Sequence, residues 1–240
     1  MTAQAMVLAA GRGERMRPLT DTTPKPLLQV RGKALMQWPL EALARGGFAE
    51  VLINTAWLGN QIEQAFGAVF SPTCSLTYSH EGHDFGGALE TAGGIARALP
   101  RLGEVFWLLA GDVFMPDFEF TQAAWNRFNT GSKLAHLWLV PNPDHNPRGD
   151  FGLSPEGLAL NLPKDTGHAM YTYSTIGLYR KAFFASPFCN IPAGNPQGTK
   201  APLAPMLRAA MDAGQVSAEI YTRHWTDVGT PQRLQLLNNG

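Results

Sequence analysis

The chain has 240 residues and a mass of 26.1 kDa, with 45% hydrophobic and 16% charged side chains, enough for one substantial core or at most two small ones. Nineteen Lys and Arg balance nineteen Asp and Glu at net charge zero, which argues against a protein that gathers nucleic acid or an anionic membrane by bulk charge. No apolar run approaches the roughly 20 residues of a membrane helix, and Met1-Thr2-Ala3-Gln4 lacks the basic and apolar start of a signal peptide, so a cytoplasmic protein is expected.

Residues 5–10 form a continuous apolar run that stops at Gly11-Arg12-Gly13, as a strand buried on both faces would. Similar runs recur at 50–54, 105–110 and 134–140. The stretches 40–45, 61–66, 95–99 and 121–128 between and after them read as helix. Strand alternating with helix predicts an α/β fold with a parallel sheet covered on both sides, and ligands then bind at the carboxyl ends of the strands. The loops after Ala10 and Ala110 are the places to look. From Pro141 the texture changes. Pro141, Pro143, Pro147, Pro155 and Pro163 break the chain into short pieces that favour irregular hairpins. A strand over 171–179, an amphipathic helix over 203–213, a short strand at 225–228 and a helix starting at Pro231 follow. One mixed α/β domain over 1–240 is expected, with a nucleotide-binding part at 1–140 and a smaller lobe in the part at 141–240. Cys74 and Cys189 lie far apart, outside any Cys-x-x-Cys spacing, and read as small buried apolar side chains.

The neutral total conceals an uneven distribution. Between positions 12 and 33, Arg12, Arg15, Arg17, Lys25, Arg31 and Lys33 face only Glu14 and Asp21, a net of +4, so the rest of the chain carries −4. The segment follows directly on the first buried strand, and its glycines let backbone N–H groups approach a ligand, so phosphate binding is the expected chemistry. The prolines beside Arg17 and Lys25 stiffen the backbone that carries those cations. Gly11-x-Gly13 is not a dinucleotide fingerprint, because Met16 stands where the third glycine belongs and Pro18 interrupts the helix that should follow. No Gly-Lys-Ser/Thr loop is present.

The longer string from Leu8 to Thr20, Leu-Ala-Ala-Gly-Arg-Gly-Glu-Arg-Met-Arg-Pro-Leu-Thr, followed by Thr23-Pro24-Lys25-Pro26-Leu27, resembles the signature of the sugar-1-phosphate nucleotidyltransferases. The resemblance implies a Rossmann-like, mixed but mostly parallel sheet with helices on both faces and a smaller sugar-binding lobe. It also implies a reaction in which a sugar 1-phosphate attacks the α-phosphorus of a nucleoside triphosphate and pyrophosphate leaves. In that pattern Arg17 grips the β- and γ-phosphates, Lys25 lies by the α-phosphate and the sugar phosphate, and Ala10, Gly11 and Gly13 cradle the triphosphate. Asp112 in Gly-Asp and Asp227 in Trp-Thr-Asp-Val-Gly-Thr match the aspartates that hold Mg2+. The segment Leu89-Glu90-Thr91-Ala92-Gly93-Gly94, through Thr91 and Gly93, lines the base ahead of a helix. Glu81, in a loop with His80, His83 and Asp84, falls where relatives touch the pyrimidine. Asn142, Asp150 and Ser174, with Thr175, offer contacts to sugar hydroxyls.

Glucose-specific members carry a Glu-Lys-Pro segment where this chain has Leu162-Pro163-Lys164-Asp165, which disfavours glucose 1-phosphate. Asn54-Thr55-Ala56-Trp57-Leu58-Gly59, Arg148-Gly149-Asp150-Phe151 and the ending His224-Trp225-Thr226-Asp227 are most similar to the family's uridylyltransferases of N-acetylmuramate α-1-phosphate, which serve peptidoglycan recycling. UTP and a sugar 1-phosphate are then the expected partners, in a monomer or small homo-oligomer, and Arg148 or Lys200 is expected to meet the substrate carboxylate. The alternatives are a guanylyl-, cytidylyl- or thymidylyltransferase acting on mannose, heptose or another sugar 1-phosphate, and a non-catalytic nucleotide-binding subunit.

Overall fold

A computed structural model describes residues 2–163 and 167–239. The chain opens with β1 (Ala3–Leu8), a hairpin of β2 (Gln29–Val30) and β3 (Lys33–Ala34), α1 (Gln37–Arg45), β4 (Glu50–Thr55) and α2 (Gly59–Phe66). Next come β5 (Val69–Ser71), β6 (Cys74–His80), α3 (Glu81–Phe85), α4 (Glu90–Ala98), β7 (Leu102–Ala110), β8 (Val113–Phe114) and α5 (Gln122–Thr130). The remainder is β9 (Ala135–Val140), β10 (Phe151–Leu153), β11 (Ala159–Leu160), β12 (Met170–Arg180), α6 (Ala204–Asp212), β13 (Val216–Ile220), β14 (Thr226–Asp227) and α7 (Pro231–Asn239).

One large sheet runs β11-β10-β12-β7-β1-β4-β6-β5, with β9 pairing β12 and β13 pairing β9. Its centre, β7-β1-β4-β6, is parallel, as the strand–helix alternation predicts. The run at 134–140 keeps the direction of the parallel strands and pairs parallel with β13. It forms β9, and the departure lies in the 171–179 region instead, since β12 is inserted between β7 and β9 and runs antiparallel to both.

Alternation along the central strands decides what packs where. Phe106 and Leu108 of β7 and Met6 of β1 bury on one face of the sheet, with α4, α6 and Tyr179. Val105, Trp107 and Leu109, with Ala5 and Val7, bury on the other, against α1 and the 118–128 region. Trp107 is fully buried in edge contact with Phe48, Phe118 and Phe120, at ring centroid distances of 5.9, 6.2 and 5.0 Å. Both faces are therefore closed, and the segments that follow β1 and β7 leave side by side from the carboxyl edge of the sheet. Cys74 and Cys189 are buried and unpaired.

Two local differences bear on the site. Residues 81–85 form a short helix where a loop is expected, and α4 begins at Glu90 rather than near Ile95. The Glu-Thr-Ala-Gly-Gly segment thus makes the first turns of a helix. Glycine is needed there because a Cβ on Gly93 would lie 2.3 Å from the Thr199 carbonyl oxygen, and one on Gly94 would lie 2.4 Å from Glu81 Oε1. Close packing overrides the helix penalty of two glycines. Lys164 and Asp165 lie outside the described residues.

Candidate active site

Beyond Leu8 the chain turns at the sheet's carboxyl edge through Ala9, Ala10, Gly11, Arg12 and Gly13 into a single 3-10 turn, Glu14–Met16. Gly13 has φ +69°, and a Cβ there would lie 3.0 Å from Thr20 Cγ2, so the turn requires glycine. The Thr20 hydroxyl donates to the Gly13 carbonyl at 2.8 Å and closes it. At Gly11 no atom lies within 4 Å of a Cβ position, because that side is open cavity. Lys25 reaches the same place from the segment after the loop. Its Nζ lies 2.5 Å from Asp112 Oδ2, just beyond the end of β7. The lysine side chain is only 10% exposed and the aspartate 39%.

Two cavities meet here, sharing Leu8, Gly11 and Asp112. The narrower, about 240 Å³, is walled by Gly13, Arg15, Lys25 and Gly229 among others. The wider, about 600 Å³, has the size of a small-molecule site and is walled by Ala10, Asn54, Thr91, Asp150, Thr175 and Arg208 among others. Lys25, Asp112, Gly11 and Gly13, singled out from the sequence, are thus brought together. Arg17 is not. Its Nε donates to Asp21 Oδ1 at 2.8 Å and it lines neither cavity, while Arg15 takes the place on the wall. Arg12 packs over the Trp57 ring at 3.8 Å and also binds Asp21. Hydrogen bonding from Arg12, aided by the charge of Arg17, holds the Asp21 carboxyl below its usual range. Half of the basic segment's guanidinium charge thus braces the loop locally.

Glu81 corrects the expectation of a base contact. It is fully buried, Oε1 accepting from Asn54 Nδ2 at 2.7 Å and Oε2 from the Leu89 N–H at 2.7 Å. Asn54 in turn accepts from the Ala9 N–H at 2.8 Å. The carboxylate therefore ties the glycine loop to the start of α4 and leaves Asn54 and Thr91, not itself, on the cavity wall. Gly93 is buried as well, its N–H donating to the Ala201 carbonyl.

Burial pushes the Glu81 carboxyl above its ordinary value of 4.5, against the pull of its two N–H donors. The native state then binds a proton at pH values where the unfolded chain has lost it. The corresponding stability is full below about pH 4.5 and declines as pH rises through the raised native value. Thermal melts across about pH 4 to 8 should show this fall, and Glu81→Gln should remove it. The substitution also faces an amide N–H₂ toward another donor, at an expected cost of about 1–3 kcal/mol.

On the sugar side the structure separates the expected residues. Asp150 lines the wide cavity, Oδ2 accepting from the Tyr173 N–H at 2.9 Å and Oδ1 from Asn146 Nδ2 at 3.2 Å. Asn142 turns away to the Met170 carbonyl at 2.9 Å and accepts from the Thr172 hydroxyl. Ser174 is fully buried, its Oγ accepting from the Ile176 N–H and its carbonyl from Trp225 Nε1. Its neighbour faces the cavity instead. β12 slips register between Tyr173 and Gly177, and Thr175 sits in that irregularity at φ +68° with a buried hydroxyl that has no protein partner among the described residues. Tyr173 lines the same cavity, so the two faces of β12 still alternate here, and only the tertiary packing decides which of them meets the cavity.

The second carboxylate arrives through β14, whose Asp227 pairs with Val113 of β8, while the Val228 N–H donates to the Asp112 carbonyl at 3.0 Å. Asp227 Oδ1 is held by Arg233 Nη1 and lies 2.8 Å from His145 Nε2. The described residues hold no cluster of three or more His, Cys, Asp or Glu that could take a metal. Any ion at Asp112 and Asp227 must complete its ligands with phosphate oxygens and water, and such an all-oxygen set suits a hard divalent cation. Each carboxylate already has a resident cation, Lys25 or Arg233, which balances its charge.

Residues 4–239 match the family described as nucleotidyl transferase. The chain is 49% identical over 238 residues to an N-acetylmuramate α-1-phosphate uridylyltransferase of Neisseria meningitidis, covering 97% of this chain and 95% of that protein. It is 30% identical to another so named from Caulobacter vibrioides, covering 95% and 92%. A Bacillus anthracis structure described as a glucose-1-phosphate thymidylyltransferase, in complex with sucrose, superposes with a TM-score of 0.80 over 98% of this chain and 94% of that one. At 18% identity it speaks for the fold. With its signature loop on the carboxyl edge of the sheet and the family pattern matched from residue 4 to residue 239, the chain belongs to the nucleotidyl transferase family.

Proposed function

We propose that the protein transfers the uridylyl group of UTP to N-acetylmuramate α-1-phosphate, giving the UDP-sugar and pyrophosphate and returning a cell-wall sugar to use. The observation that carries this reading is the meeting of two cavities at Gly11 and Asp112, with the Lys25 ammonium beside that carboxylate. The narrow cavity, where Arg15 and Lys25 stand beside Glu14, Asp112 and the glycine loop, suits a polyphosphate with a divalent cation, and the wide one suits a nucleoside and a sugar. The base and the sugar are taken from the two relatives that cover nearly the whole chain.

In this reading an oxygen of the sugar phosphate attacks the α-phosphorus while the bond from that phosphorus to the bridging oxygen of the β-phosphate breaks, and the electron pair leaves with pyrophosphate. The attacking phosphate is already ionised near neutral pH, so positioning and charge stabilisation matter more than an acid or base. The backbone from Ala10 to Gly13 holds the triphosphate in the narrow cavity. Lys25 faces the charge that grows on the α-phosphate oxygens, and Arg15 lies toward the β- and γ-phosphates. Thr91 and Asn54 border the base, with Asp150 and Thr175 at the sugar. Asp112 and Asp227 are the residues that would hold Mg2+, which when bound draws charge from the phosphate oxygens.

A pyrophosphate-release assay crossing UTP, GTP, CTP, dTTP and ATP with N-acetylmuramate, N-acetylglucosamine, glucose and mannose 1-phosphates tests the assignment. Turnover with UTP and N-acetylmuramate 1-phosphate should exceed every other pair by at least about tenfold, since sites that hydrogen-bond polar groups discriminate strongly. Strong turnover with GTP and mannose 1-phosphate, and none with UTP, would replace the reading with a guanylyltransferase.

A further inference from the structure

The wall of the wide cavity is mostly apolar or neutral, and the charged side chains on it are acidic with one exception. Glu90, Asp112 and Asp150 all stand on its wall, and Arg208 is the sole cationic side chain there among the described residues. Arg208 lies on α6, whose Ala204, Leu207 and Arg208 share one helical face toward the cavity. Its guanidinium stacks over the Phe151 ring with 5.1 Å to the centroid, and Phe151 is itself buried at the start of β10. This stacking covers a face of the fork and leaves its N–H edge free to donate.

The partners of Arg208 leave its charge intact. Nη1 donates to Asn161 Oδ1 at 2.8 Å, and Asn161 is turned that way because its amide nitrogen donates to both Asp212 oxygens at 3.1 Å. Arg208 thus has a neutral carbonyl partner, and among the described residues no carboxylate lies within ion-pair distance of it. Asp150, the acid on the same wall, has each oxygen committed to an N–H donor. An oriented, uncompensated guanidinium at the edge of a substrate-sized cavity is built for an anion that arrives with the ligand. Arg148 and Lys200, the cations expected for that task, are both exposed and off the cavity wall.

We infer that Arg208 receives the carboxylate of the sugar substrate and thereby selects an acidic sugar 1-phosphate over its neutral counterpart. The inference rests on the proposed function. N-acetylmuramate differs from N-acetylglucosamine by a lactyl ether on the ring, and that ether carries the carboxylate. Without Arg208 the surrounding carboxylates would repel it. With Arg208 in place, they disfavour every other site for it along the wall.

The test compares N-acetylmuramate and N-acetylglucosamine 1-phosphates as acceptors, with UTP, in the unaltered protein and in the Arg208→Gln and Arg208→Lys variants. A parallel calorimetric titration uses the corresponding UDP-sugars, so that a poor neutral acceptor still yields a comparison. Arg208→Gln should lower kcat/KM for the acidic sugar about 10- to 100-fold and weaken its UDP-sugar to match, leaving both neutral ligands within about twofold. Arg208→Lys should recover part of the loss. An N-acetylmuramate 1-phosphate whose lactyl carboxylate is converted to the amide should behave alike in the unaltered and Arg208→Gln proteins. If the unaltered protein prefers the acidic sugar but Arg208→Gln falls equally on both sugars, or on neither, the role of Arg208 is overturned while the proposed function stands. An unaltered protein that accepts the neutral sugar and refuses the acidic one overturns both.

Discussion

Lys25→Ala should reduce kcat about 10²- to 10³-fold, equivalent to about 3–4 kcal/mol of transition-state stabilisation, with a smaller change in the KM for the nucleotide. The size follows from position. The ammonium sits in a slot where the side chain is only 10% exposed, next to the shared corner of the two cavities, so water screens it little. Charge that grows on the α-phosphate oxygens during transfer is the charge it can meet, and interactions that strengthen only in the transition state appear in kcat. Lys25→Arg should restore little, since a longer side chain with a wider planar fork replaces a compact ammonium that is only 10% exposed and already 2.5 Å from Asp112 Oδ2. Steady-state kinetics at saturating substrates checks this, and full activity of Lys25→Ala would remove Lys25 from the chemistry.

Asp112→Asn should have an effect at least as large, about 10³-fold or more, because it removes the charge that both a divalent cation and Lys25 require. The fold should persist. Asparagine preserves the shape, its carbonyl can still accept from Lys25, and the Asp112 backbone carbonyl continues to hold the Val228 N–H. Melting temperature and the Mg2+ dependence of the rate separate the two effects. The unaltered protein should saturate with Mg2+, whereas the variant should show a cooperative melt lowered by the loss of the Lys25 counter-charge, little rate and a rightward shift in any Mg2+ dependence that remains. A substantial rate with unshifted Mg2+ dependence would assign the metal elsewhere.

Lys25 was singled out through the family resemblance of Thr23-Pro24-Lys25-Pro26-Leu27, whereas Asp112 was legible for a local reason as well. A glycine loop must follow a buried strand at the sheet edge, and an Asp directly after an apolar strand must emerge at that same edge, wherever the intervening helices go. Glu81 was singled out as a contact to the base, and its buried bracing role was not legible. Its burial depends on Asn54 from β4 and the Leu89 N–H before α4 arriving from elsewhere in the chain. Arg17 illustrates the converse, since a cation in a basic segment reads as available until its own Asp21 is seen to hold it.

The sugar side was the least legible. Ser174 and Thr175 are interchangeable by residue chemistry, and only the packing of β12 shows which face meets the cavity: Thr175 lines it together with Tyr173, and Ser174 between them is buried. Arg208 carried no signal beyond its place in an amphipathic helix, because its meaning comes from what surrounds it: three acids on the same wall and a neutral amide as its partner.

By itself, then, the sequence determined the alternating α/β plan and the position of the glycine loop, which depend on hydrophobic periodicity and on residues near one another in the chain, and the family, which a contiguous signature string carries. The tertiary structure alone decided which cations remain free, which carboxylates are buried and which side chains face the wide cavity. Those properties depend on partners brought from distant segments, and hydrogen bonds and ion pairs act over distances of a few ångströms in space, whatever the separation along the chain.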